Sequence, residues 1–173
     1  MPTFDAAVLV LRLGVGLIFA AHGAQKVFGW WGGSGFGGWV AVMVRMGFRP
    51  PWLFAAIAAG AELVGGLALA IGFLTPLAAM VIVGQSMVII FRAHWPRGFF
   101  NRDNGFEFPL ALVSGAIAAL LLGPGDVSVD TVIGLAIPPE IRVWLLGLGV
   151  VGGLLAAAIP RILARPVATP ESS

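Results

Sequence analysis

Cysteine is absent from this 173-residue chain, and charge is scarce. Without thiols there is no disulfide, no thiolate metal site and no thiol exchange by the chain itself. Redox chemistry would therefore need a bound cofactor or another subunit. Lys plus Arg number 10 and Asp plus Glu 8, which together make 10% of the residues and leave a net charge of +2. The pI near 10.5 thus reflects few charges rather than a dense basic face, and no nucleic-acid partner is expected. What is abundant is apolar. Hydrophobic residues make up 59% and the mean hydropathy is +1.00, well above the roughly 45–50% apolar content of a soluble domain. Such a chain belongs in a lipid bilayer.

A membrane helix needs about 17–25 mostly apolar residues. Five segments satisfy this, at residues 5–27, 51–73, 76–92, 106–123 and 141–163. Proline marks their limits in "RPP", "GFLTP", "HWP" and "IPPE", where a helix can start or stop. The opening "MPTFD" carries an acid and no Lys or Arg, unlike the n-region of a signal peptide, so the first span is expected to stay in the membrane. Between the first two spans, "FGGWVAVMVRMGF" is too short to cross and is expected to lie in the interface or dip into it.

With five spans, one side collects Lys26, Arg45, Arg49, Arg92, Arg97, Arg102, Arg161 and Arg165, and the other essentially Arg142. The positive-inside rule predicts an external N-terminus and a cytoplasmic C-terminus. Trp30, Trp31, Trp39, Trp52, Trp95 and Trp144 fall near span ends, as an aromatic belt requires. Gly and Ala, dense in "AAIAAGAELVGGLALA" and "LGLGVVGGLLAAA", allow close helix approach in lipid.

Polar residues inside the spans form two expected layers. Counting about 1.5 Å per residue from the span ends puts Arg12, Glu62 and Gln85 about 10–14 Å from the outer side. Arg12, Gly16, Phe19, Gly23 and Lys26 share one face of the first span. Because a lone charge at mid-bilayer costs about 2.5–3.5 kcal/mol, Arg12 and Glu62 are expected to pair, either to fix the packing or as a proton or ligand site. The second layer lies at the inner ends, where His22, Lys26, His94, Asn104 and Glu107 gather. Glu107 also suits the first turn of its helix as a simple dipole charge. Two histidines at one depth suggest bis-His haem ligation. That reading is disfavoured because His94 falls nine residues from Gln85, on the opposite side of a regular helix unless the turn before Pro96 unwinds. No metal site is expected.

Through "LRLGVGLIFAAHGAQKVFGWWGG", "GAELVGGLALAIGFLTPLAA", "AHWPRGFFNRDNGFEFPL" and "LLGPGDVSVD", the chain resembles the DoxX family of small bacterial membrane proteins from about Leu9 to Asp130. The resemblance implies an all-α four-helix membrane core over residues 1–130. Residues 131–173 then add a loop, a fifth transmembrane helix beyond the family's usual core and a short polar cytoplasmic tail. By association it implies the bacterial inner membrane and a quinone-linked redox assembly, with a partner protein or homo-oligomer. The matching positions are Arg12, His22, Gly23, Lys26, Glu62, His94, Asn104 and Glu107. Arg12, Glu62 and Glu107 are the catalytic candidates, and His22, Lys26, Gln85, His94 and Asn104 the ligand-binding ones. The expected ligand is a quinone or similar apolar ring near the His22, Lys26 and Glu107 layer. The alternative is a non-enzymatic membrane scaffold or small-molecule carrier.

Overall fold

A computed structural model describes residues 3–162, with side chains as far as Pro160. Leu163, the side chains of Arg161 and Arg165, and the polar tail lie outside the described residues. Helix α1 (Thr3–Phe28) stops at Gly29, whose φ of +75° turns the chain out of the helix while its N–H donates to the Gln25 carbonyl at 3.2 Å. The segment expected at the interface forms α2 (Gly35–Arg45), which packs on α1 and on α3 (Pro51–Ile71). Helix α3 opens on Pro51, as "RPP" predicts, and α4 (Thr75–Val88) follows a tight turn. The last turns of α4 widen into a π-helix, Ile89–His94. After two 3₁₀ turns come α5 (Glu107–Leu122), the short α6 (Val129–Val132) and α7 (Pro139–Ile162). No strand occurs among the described residues.

Small residues set the packing. Antiparallel α1 and α3 approach to backbone contact at Gly16, where a Cβ would stand 2.6 Å from the Gly66 carbonyl oxygen. Gly23 lies likewise against Leu63. Helix α5 returns along α1, with Gly115 against Val15 and Leu11. Helices α1, α3, α4 and α5 thereby enclose a core that includes Phe19, Leu69, Ile82, Val113 and Leu120. Helix α7 lies parallel to α4, where Gly149 meets Met80 and Gly153 meets Gly84 and Met87. It is a fifth helix added to a four-helix bundle.

Helices α1, α3 and α7, and α4 with its π and 3₁₀ extension, are each long and apolar enough to cross a membrane. Helix α5, with 16 residues, is about 24 Å long against a core of about 30 Å. It nevertheless runs from one end of the bundle to the other. Phe108 at its start packs on His22, and the chain just after it reaches Asp5, which accepts from the Asp126 N–H at 2.9 Å. Val10, Leu17, Val64, Leu67, Leu148 and Leu155 are exposed on the outside of the bundle, where lipid would meet them.

Candidate functional site

The α1–α3 register decides which charges meet. With Gly16 beside Gly66 and Gly23 beside Leu63, Glu62 comes level with the end of α1 at Lys26, and Arg12 comes level with the end of α3. The expected Arg12–Glu62 pair is therefore not formed, and the two lie about 16 Å apart along α1. Pro51 is not level with the end of α1: the first turns of α3 extend beyond it and pack against α2, which shifts Glu62 toward Lys26.

Arg12 is 1% exposed and belongs to a polar plug at its own end of the bundle. Its Nη2 donates to the Val127 carbonyl, and its guanidinium lies against Gly72, where any Cβ would collide with it. Asp130, the neighbouring anion, accepts from the N–H groups of Leu74 and Thr75 at 2.6 and 2.8 Å, so it caps α4. Arg142 closes the same end by donating to the Leu121 and Leu122 carbonyls at the end of α5. "LLGPGDVSVD" is thus the segment that seals the helix ends around Arg12.

The second polar centre lies at the Lys26 end. Lys26 Nζ forms a salt bridge with Glu62 Oε1, which also accepts from Gln85 Nε2 at 3.2 Å. The lysine sits 4.2 Å from the centroid of the Trp39 ring, a cation–π contact that a neutral or anionic side chain could not make. Glu62 is 1% exposed and Lys26 17%. Gln85 belongs to this layer and not to that of Arg12. Beside it lies a cavity of about 270 Å³ whose wall includes Phe19, His22, Lys26, Trp39, Glu62 and His94. Two residues of that wall each hold a buried polar atom with no partner among the described residues: Glu62 Oε2, an acceptor, and Trp39 Nε1, a donor. Buried polar atoms are nearly always paired, so these two have hydrogen-bonding capacity to spare beside the cavity.

The remaining expected residues divide. His22 borders the cavity with its ring edge-on to Phe108, the centroids 6.5 Å apart. His94 reaches the same cavity because the turn before Pro96 does unwind, and its Nδ1 lies 2.7 Å from the Asn104 carbonyl oxygen. Asn104 acts through this backbone oxygen, from a left-handed conformation with φ of +60°. Glu107 is turned away from the cavity. Its Oε2 accepts from the Asn101 N–H at 2.9 Å and ties the 3₁₀ turn at Asn101–Asp103 to the start of α5. Trp39, read from the sequence only as a belt residue, is the member of the centre that was missed. Its position in an amphipathic segment too short to cross the membrane was the available signal. Arg92 Nη2 donates to the Met46 carbonyl and ties the end of α2 to the π-helix, which holds Trp39 over the lysine.

A family model described as DoxX matches residues 7–95. The chain belongs to the DoxX family. The match takes in α1 to α4 and the π-helix, hence every side chain of the Lys26–Glu62–Gln85 centre. It ends before α5, short of the Asp130 limit read on the sequence. No curated protein and no solved structure matches this DoxX protein.

Proposed function

We propose that this DoxX protein is a membrane subunit of a quinone-linked redox system, holding a quinone or similar apolar ring in the cavity beside Lys26 and Glu62. The observation that supports this reading is an apolar cavity lined by Lys26, Glu62 and Trp39, the last two each with a buried polar atom that lacks a partner among the described residues. A ring with oxygens at its edge can accept from Trp39 and Lys26, and in its reduced form it can donate to Glu62. Reduction of a quinone to a quinol takes two electrons and two protons. In this reading Glu62, joined to Lys26 and Gln85, relays the two protons one after the other from the water at the Lys26 end. The chain has no thiol, and in this reading the electrons come from a reductant bound by a docked partner protein. The protein works in the bacterial inner membrane with the Lys26 end cytoplasmic, where Lys26, Arg45, Arg49, Arg92, Arg97 and Arg102 gather.

The test is quinone titration of purified protein in nanodiscs. Lys26→Met and Glu62→Gln should each weaken binding tenfold or more, and Arg12→Met should not change it. Equal affinity in all four proteins would remove the site. A folded wild type that binds no quinone would favour the scaffold or carrier.

A further inference from the structure

A second cavity, of about 250 Å³, lies beside the first on the side of α7. Trp39, Met46, Ile89 and Ala93 stand in the walls of both. Beyond them the second wall is built by Met43, Phe48 and Phe54, with Ala58 from α3 and Ala156 from α7. Gln85, the residue that donates to Glu62, faces this cavity. The polar centre therefore stands at the junction of two apolar spaces.

We propose that the second cavity takes the hydrocarbon tail of the ligand whose ring occupies the first, so that the substrate class is a tailed, lipid-soluble quinone rather than a small soluble one. This rests on the ring-binding reading above. Three features favour a tail as the occupant. The wall is apolar apart from Gln85, so it suits a chain without polar atoms. The space is not loose packing of the added helix, because α7 is in backbone contact with α4 at Gly84, Gly149 and Gly153 and the gap opens only at Ala156. Alanines at positions 58, 93 and 156 keep it open where larger apolar side chains would fill it and stabilise the bundle. Met43 and Met46 give the tail an adaptable wall, and the π-helix carries Ile89 and Ala93 to the boundary between the two spaces. The fifth helix thereby acquires a role in binding.

The experiment compares duroquinone, which has no tail, with decyl-benzoquinone, in nanodiscs of fixed lipid content. Wild type should bind the tailed probe at least tenfold more tightly. Ala156→Phe, which narrows only the second cavity, should abolish this preference and leave duroquinone affinity unchanged. Ala58→Leu from the opposite wall should do the same and serves if the first variant fails to fold. Affinities are referred to the concentration of each probe within the lipid, so that partition does not contribute to the preference. A preference that survives in a folded variant, or its absence from wild type while duroquinone binds, would overturn the proposal and leave the ring site standing. Failure of wild type to bind either probe would overturn the ring site, and the tail site with it.

Discussion

Lys26 and Glu62 are paired but not equivalent, since the carboxylate is fully buried and the ammonium lies near a helix end. Removing the lysine strands a buried charge, whereas removing the carboxylate leaves a lysine able to extend toward the interface. Lys26→Met should therefore destabilise the protein by up to about 3–5 kcal/mol and Glu62→Gln by less. The double variant Lys26→Met/Glu62→Gln should recover stability, read as thermal melting in detergent. Equal losses in the two single variants would contradict the asymmetry. Arg12→Met gives up the bond to the Val127 carbonyl, an effect of about 1.5–3 kcal/mol for a charged donor. It should loosen hydrogen-exchange protection around residues 124–132 without touching the ligand. Trp39→Phe keeps an aromatic ring beside Lys26 but removes the N–H together with the five-membered ring of the indole, so quinone affinity should fall at least three- to tenfold, the loss that about one hydrogen bond implies. Unchanged affinity would take Trp39 out of the site. At this scale the sequence disclosed which residues are unusual, because charge inside an apolar run is conspicuous. It did not disclose partners, because partner choice depends on a register that composition does not carry.

The stripe from Arg12 through Gly16 and Gly23 to Lys26 was legible as one face of α1, and that face does meet α3. Only the end at which it meets Glu62 was misread, since the first turns of α3 extend past α1 over the short α2. The glycine contacts that set this register can be tested directly. Gly16→Ala places a Cβ against the Gly66 carbonyl and should cost about 1–3 kcal/mol. Gly14→Ala has nothing within 4 Å of its Cβ and should be neutral or stabilising by up to about 1 kcal/mol. Equal effects of the two would contradict backbone contact between α1 and α3. Helix limits followed Pro and Gly to within a few residues. The π-helix at Ile89–His94 has no comparable punctuation apart from Pro96, and it decides where His94 goes.

At the scale of the whole molecule, apolar run lengths disclosed the all-helical membrane bundle and the added last helix. The cavities were not legible, because they arise where three or four helices diverge by a few ångströms. The five-crossing path predicts reporters on opposite sides, external when placed before Met1 and cytoplasmic when placed after Ser173. Both on one side would mean that a segment, α5 being the shortest, does not cross. The central claim, that Glu62 is the acceptor of the quinone site, is tested most directly by infrared difference spectroscopy of the nanodisc protein as a quinone is reduced to quinol. The account predicts a shift in a carboxyl or carboxylate band that disappears in Glu62→Gln and persists in Glu107→Gln. A difference spectrum unchanged by Glu62→Gln, with quinone still bound, would contradict it.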